Sequence, residues 1–142
     1  MDALKLLTER YSEKKLSAPA PNKDQLAQIF QAALHAPDHG KLRPYRFVVI
    51  EEEKMTTFSD LLKSAVHELN LGEERLKKAE NLATRAPMII GVVAKIDPNI
   101  KKVPEWEQLL CAGCATYAIQ LASNALGFKN VWVSGPWLDG SD

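Results

Sequence analysis

The sequence lacks the features that mark several large classes of protein. Its 18 basic residues are balanced by 18 acidic ones, whereas a protein whose main partner is nucleic acid needs a basic surplus. The longest purely apolar run, Met88 to Ala94, is far shorter than the ~20 residues that span a bilayer. The N-terminus mixes acidic and basic residues and lacks the apolar core of a signal peptide. We therefore expect a cytoplasmic protein with no membrane span and no nucleic-acid partner.

Thiols and potential metal ligands are also scarce. The three histidines, at positions 35, 39 and 67, show no ligand spacing to one another, so no metal site is predicted. Cys111 and Cys114 form a Cys-x-x-Cys pair, which can be a dithiol redox site or half of a zinc site. Redox pairs gain their low pKa at a helix N-terminus, whereas this pair lies about two turns inside a predicted helix. We favour two small buried residues on a core helix, and a thiol redox protein remains an alternative.

The length and composition are those of one globular domain. The chain of 142 residues is 46% hydrophobic and 25% charged, close to the averages of globular proteins. A domain of this size buries roughly 68–70% of the surface that its unfolded chain exposes. We find no internal repeat, low-complexity tract or linker. We therefore treat residues 1–142 as a single domain with a genuine core.

Helical periodicity recurs along most of the chain. Asn22 and Gln25 have the spacing of a capping box, and they open a helix that ends by Pro37. Apolar residues from Phe58 to Leu69 recur at helical spacing up to Gly72, and a charged helical stretch covers 73–84. Pro104 can open a long helix through Leu126, with Gly127 placed to end it. The middle of that helix, CAGCATYAIQLA, is small or apolar nearly all round, as in a helix packed on several sides.

Three short runs predict strands. Residues 47–50 and 88–94 are continuous apolar runs bounded by turn-forming residues, and we expect each to be a buried strand. For the first run this means burial on both faces, as in a central strand. The third run, KNVWV at 129–133, predicts another strand.

A small polar cluster follows a short helix that we expect at the N-terminus, before Asn22. Arg10, Ser12 and Lys14 alternate in ERYSEKK, so in an extended segment their side chains point the same way. Arginine binds phosphate with two parallel N–H donors, and lysine acts as a compact point charge. The set suits a phosphate and the oxygens of a polyol or ring, although a solvated charged turn has the same composition.

The order of these motifs resembles the nitroreductase family, most closely a subgroup of short chains. The residues that carry the resemblance, which runs from Met1 to about Gly135, are MDALKLLTERYS, HAPDHGKLRPYRFVVI, RAPMIIGVVAKI, VPEWEQLLCAGCATYAIQLASNALGF and VWVSG. The resemblance implies an α+β fold with a central, mostly antiparallel sheet flanked by helices. It also implies a homodimer that binds FMN at the subunit interface, with the long helix at the dimer contact. NAD(P)H would be the reductant, and nitroaromatic or quinone-like compounds the acceptors.

The resemblance also implies which residues meet the cofactor. They are Arg10, Tyr11, Ser12, Lys14, His35, His39, Trp132, Val133 and Ser134. Arg10 and Ser12 would bind the phosphate and ribityl end, and Lys14 would lie near the flavin pyrimidine ring. The loop at His39 would reach the flavin from the partner subunit. The stretch 122–127 matches a region that contacts the nicotinamide nucleotide in the subgroup. No catalytic residue of the protein is implied, because the flavin carries the chemistry; this agrees with the lack of a catalytic triad or carboxylate pair.

Some positions depart from the family's pattern. Tyr11 stands where members of the subgroup tend to have a second arginine, and Val133 replaces a basic residue. Arg43-Pro44-Tyr45 replaces a common Gln-Pro-Trp. Family chains also continue beyond the equivalent of Asp142 with a further strand, so we expect a truncated domain whose C-terminal strand is missing. A non-catalytic flavin-binding or interaction protein derived from the family remains an alternative.

Overall fold

The computed structural model describes residues 2–140. Its α-helices are α1 (Ala3–Glu9), α2 (Lys23–Ala33), α3 (Met55–Glu68), α4 (Glu73–Leu82) and α5 (Glu105–Ala125). Its strands are β1 (Tyr45–Glu51) and β2 (Met88–Ala94), and short 3-10 helices lie at His39–Lys41, Glu52–Lys54 and Pro136–Asp139. The fold is therefore α+β, as expected.

Local sequence signals set the ends of the helices. The Asn22 side chain accepts a hydrogen bond from the Gln25 N–H, and the Gln25 side chain accepts one from the Asn22 N–H, both at 2.9 Å. This is the predicted capping box. Pro104 is the N-cap of α5, and Gly127 follows its end with a φ of 93°, a conformation that glycine adopts without steric cost. The predicted bounds of the long helix are thus confirmed to within a residue.

The two strands pair in antiparallel fashion. The Lys95 N–H donates to the Pro44 carbonyl at 2.9 Å, and Gly91 lies opposite Val48. Tyr45 and Phe47 of β1 pack into a core with Ile90 and Val92 of β2. The other face of the pair is open, because Val48 is 43% exposed and Val93 is 46% exposed.

The expectation that both strands are fully buried was therefore wrong. A continuous apolar run shows that a strand can be covered on both sides, but it cannot show what covers it.

The prediction of a third strand was also wrong. Residues 128–135 carry no strand, and within 2–140 the sheet contains only β1 and β2. Asn130, in the middle of this segment, is held by two hydrogen bonds with Gln120 on α5. The Gln120 side-chain NH₂ donates to the Asn130 side-chain oxygen at 3.0 Å, and the Asn130 side-chain NH₂ donates to the Gln120 backbone carbonyl at 3.1 Å. A β-branched and aromatic composition predicts a strand only where a neighbouring strand offers its backbone groups.

The chain forms two compact units. The first unit comprises the described residues through Ser12, Pro21–Val48 and Ile90–Asn130. In it, α2 lies along α5, and small residues of α5 allow close packing. Its buried residues are Ile29, Ala33, Tyr45, Cys111, Ala112, Ala115 and Ile119. This unit carries most of the polar side chains singled out from the sequence.

The second unit comprises Glu13–Ala20, Val49–Ile89 and the described residues from Val131. Its helices α3 and α4 pack together, and Trp137, from the last 3-10 helix, completes their core. The buried residues are Leu62, Ala65, Val66, Ala79 and Trp137. Among residues 2–140, no helix has both the length and the apolar character needed to cross a bilayer.

Candidate functional site

Arg10 and Ser12 meet at the end of α1. The helix stops at Glu9, and Arg10 is extended, with φ −63° and ψ 144°. Its Nη2 donates a long hydrogen bond of 3.4 Å to the Ser12 Oγ. The expectation that alternating residues of this segment turn to one side is confirmed for this pair. A guanidinium fork and a hydroxyl are thereby presented together.

The Arg10 guanidinium is held in place but incompletely satisfied. Its Cζ lies 5.9 Å from the centroid of the Tyr117 ring on α5, within cation–π range. Its Nε is buried and has no hydrogen-bond partner among residues 2–140. A buried donor without a partner costs about 1–3 kcal/mol. An anionic oxygen arriving from outside the chain would remove that cost.

Tyr11, which lies between Arg10 and Ser12 in the chain, also contacts a cation. The Lys129 Nζ lies 4.5 Å from the centroid of the Tyr11 ring, and Tyr11 is 53% exposed. Residues 118 positions apart in the chain could not be paired from their spacing. A positive charge therefore stands at the ring of Tyr11.

The two candidate histidines have different surroundings. The His39 Nδ1 lies 2.7 Å from a carboxylate oxygen of Glu107 on α5. The His35 Nδ1 lies 2.8 Å from the carbonyl of Gln31, which belongs to the last turn of α2, just before His35. Both imidazoles are exposed. His39 is thus oriented by another element, whereas His35 bonds locally.

The loop that carries His39 is fixed by Asp38. Its carboxylate accepts the N–H of Leu42 at 3.1 Å and the N–H of Arg43 at 2.8 Å. Gly40, Lys41 and Arg43 all have positive φ, which is uncommon for residues with a side chain. The carboxylate therefore holds a strained turn in one conformation.

Gln108 was missed by sequence reasoning. It is 1% exposed. Its Nε2 donates to the carbonyls of Asp97 and Val103, both at 2.9 Å, and its Oε1 accepts the Asp97 N–H at 2.8 Å. One amide thus fixes the 97–103 loop to the start of α5, beside Glu107. The only signal in the sequence was an uncharged polar residue followed by an apolar helical run.

A cavity of about 470 Å³ opens elsewhere in the first unit. It is lined by Leu42, Arg43, Ala94, Lys95, Ile96, Asp97, Ile100 and Gln108. None of the nine cofactor-contacting residues expected from the sequence lines it. Arg10 is better suited to contact an anion, because its Nε is buried without a partner among residues 2–140, whereas Arg43 and Lys95 are exposed to solvent.

The remaining expected residues lie in the second unit. Lys14, Trp132, Val133 and Ser134 are all exposed. Their side chains are therefore available to a ligand or to another chain.

The stretch 122–127 forms the last turn and cap of α5. The Asn124 Nδ2 donates to the Phe128 carbonyl at 3.0 Å, whereas its Oδ1 is buried without a partner among residues 2–140. The helical conformation expected for this stretch is confirmed as far as Ala125.

The two cysteines have different surroundings. Cys111 is buried in the first core and Cys114 is exposed. Burial, together with the negative charges of Asp38 and Cys114, raises the pKa of Cys111 to about 11. A nucleophilic cysteine needs the opposite shift. The interpretation as a small buried core residue is thus supported for Cys111, but it was wrong for Cys114, which is exposed.

One face of α5 is apolar and exposed. Trp106 is 64% exposed and Leu110 is 62% exposed. Gly113 and Tyr117 continue the same face at helical spacing, and Leu109 lies beside it. A Cβ atom added at Gly113 would meet no atom of the chain within 4 Å. Contiguous apolar patches of this kind mark interaction sites.

Comparisons of sequence point to one family. The model of the Nitroreductase family matches residues 7–138. The chain is 66% identical over 141 residues to a protein of Haemophilus influenzae named "Putative NAD(P)H nitroreductase", covering 99% of this chain and 77% of that one. It is 45% identical over 135 residues to "Putative NAD(P)H nitroreductase YdjA" of Escherichia coli K12, covering 95% and 73%.

Solved structures share the fold. A nitroreductase-like family protein from Bacillus cereus superposes with a TM-score of 0.83 at 21% identity, over 99% of this chain and 74% of the other. A structure titled as a putative nitroreductase in complex with FMN, from Desulfovibrio desulfuricans, gives a TM-score of 0.69 at 21% identity, over 97% and 70%. The match to the family model and the two close relatives together show that the chain belongs to the nitroreductase family.

Proposed function

We propose that this chain is the FMN-binding subunit of an NAD(P)H-dependent oxidoreductase that passes hydride through the flavin to nitroaromatic or quinone-like acceptors. Membership of the family and the names of its relatives support the reaction class. The observation that carries the proposal is Arg10, whose buried Nε has no partner in the described chain and whose Nη2 reaches Ser12.

The residues present fit the phosphate end of FMN. A phosphate offers several anionic oxygens, and arginine binds them with parallel N–H donors at fixed geometry. The Ser12 hydroxyl can donate to a ribityl or phosphate oxygen. The unsatisfied Arg10 Nε gains an acceptor at the same time.

Several other residues have roles in this proposal. The Lys14 ammonium would compensate negative charge on the reduced flavin. Trp132, Val133 and Ser134 would contact the cofactor, and His35 and His39 would approach it from the partner subunit. The Glu107 carboxylate orients the His39 ring. When bound, FMN supplies the hydride-transfer chemistry, so the chain's own task is to bind and orient.

A second copy of the chain is the proposed partner of the apolar α5 face. Burial of Trp106 and Leu110 would remove their large apolar surfaces from water, at roughly 25 cal/mol per Å². Gly113 would allow the two backbones to approach closely. The proposed dimer therefore covers the exposed face and brings the His39 loop of one chain to the cofactor of the other.

We also propose that the two compact units act as one nitroreductase domain, because the family match from 7 to 138 includes residues of both. The cytoplasm, where reduced nicotinamide nucleotides are available, is the compartment that this function implies.

The test is to incubate purified protein with FMN and remove free flavin by gel filtration. We expect the protein to keep the yellow absorption, and NADH or NADPH to bleach it without oxygen. A nitrobenzene derivative or a benzoquinone should then restore the colour. A colourless protein would contradict flavin binding. A yellow protein that neither nucleotide bleaches would favour the non-catalytic alternative.

A further inference from the structure

Tyr117 on α5 carries the ring that the Arg10 guanidinium meets. The Arg10 Cζ lies 5.9 Å from the centroid of that ring, within the range of a cation–π contact. None of the ion pairs within residues 2–140 includes Arg10, and the hydrogen bond that it donates to the Ser12 Oγ is long, at 3.4 Å. The ring therefore fixes the guanidinium without neutralising its charge.

The two residues lie on helices of different stability. Tyr117 lies in the interior of α5, a helix of 21 residues, whereas Arg10 is the C-cap of α1, a helix of 7 residues with no buried residue. Isolated helices as short as α1 are unstable in water, and α1 contacts α5. An arginine side chain has many rotamers, and it loses this freedom when it binds a ligand. A ring on the longer helix limits that freedom before the ligand arrives.

We infer that Tyr117 is a positioning residue, whose ring holds the Arg10 guanidinium in the conformation that receives the FMN phosphate. This inference rests on the proposed FMN binding. The ring acts through Arg10, so its effect is confined to the phosphate end of the ligand. Tyrosine and phenylalanine both offer a negatively charged ring face to a cation, whereas an aliphatic side chain offers none. The site therefore requires a ring at position 117 and not the tyrosine hydroxyl.

The experiment measures dissociation constants for FMN and for riboflavin, which lacks the phosphate, by quenching of flavin fluorescence. Tyr117→Leu should weaken FMN binding roughly two- to fivefold, because loss of a cation–π contact at an exposed site lowers the population of the competent Arg10 conformation by about that factor. Riboflavin binding should be unchanged, and Tyr117→Phe should bind both ligands as the wild type does. Phe128→Leu, which removes a ring elsewhere in the same unit, is the control and should leave the ratio of the two constants unchanged.

A double substitution separates an effect on Arg10 from an effect on assembly. In the Arg10→Ala background, Tyr117→Leu should change the ratio of the two constants no further. Tyr117 is 38% exposed on the apolar face of α5, so a variant that only disturbed the proposed dimer would weaken both ligands alike. That result, or an unchanged ratio in Tyr117→Leu with wild-type protein that binds FMN, would overturn the inference alone. Wild-type protein that binds no FMN would overturn the proposed function as well.

Discussion

Among single residues, Arg10 and Gln108 show opposite uses of a buried polar group. Every hydrogen-bonding atom of the Gln108 amide is matched by a backbone group, so its burial stabilises the fold. The Arg10 Nε has no such match in the described chain. Unsatisfied buried donors are rare in native proteins, and this is why we propose that Arg10 binds a ligand.

Lys14 provides a prediction at this scale. Reduction adds negative charge to the flavin, and a nearby ammonium favours that form. Lys14→Ala should lower the two-electron reduction potential of bound FMN by roughly 20 mV, which corresponds to about 1 kcal/mol of lost charge–charge interaction. The potential can be measured by equilibration with a reference dye. Lys15→Ala, the adjacent exposed lysine, is the control, and an unchanged potential in Lys14→Ala would remove Lys14 from the flavin ring.

At the scale of elements, the parts predicted from the sequence are those that depend on neighbours along the chain. The capping box at Asn22, the limits of α5 and the meeting of Arg10 with Ser12 all rest on contacts within four residues. The failures rest on distant contacts. Whether Val48 is covered, or 129–133 forms a strand, depends on which other segments lie beside them. The same is true of the candidate site: the pairing of Tyr11 with Lys129 and of His39 with Glu107 could not be read from spacing.

At the scale of elements, the prediction concerns the 97–103 loop, which the Gln108 side chain holds in place. Gln108→Leu should lower the free energy of unfolding by roughly 1–3 kcal/mol or more, because it leaves the Asp97 N–H and two carbonyls without their partner. Urea unfolding followed by circular dichroism measures this change. Gln28→Leu, an exposed glutamine on α2, should change the stability by less than about 0.5 kcal/mol. Equal effects of the two substitutions would show that the loop does not depend on the amide.

At the scale of the whole molecule, a substitution on the exposed face of α5 can test the assembly of two chains without disturbing the folding of one. Gly113→Leu adds a side chain where the chain itself has open space and replaces a poor helix former, so the subunit should fold with a stability equal to that of the wild type or higher by up to about 1 kcal/mol. If a second copy packs at that point, the added side chain would overfill the contact between the two chains, at a cost of typically 1–3 kcal/mol. Sedimentation should therefore show a shift toward monomer, with loss of bound FMN. Ser64→Leu, at an exposed position of α3, should leave both unchanged. A monomeric Gly113→Leu that still binds one FMN per chain would show that each subunit holds a complete site.

The most direct test of the central claim, that this chain binds FMN through Arg10, is to compare the affinities of wild-type protein and Arg10→Ala for FMN and riboflavin. A hydrogen bond to a charged group contributes about 1.5–3 kcal/mol, so Arg10→Ala should weaken FMN binding by roughly 10- to 150-fold. Riboflavin should lose far less affinity, because it has no phosphate for Arg10 to bind. Equal losses for the two ligands, or wild-type protein that binds FMN no better than riboflavin, would contradict the account.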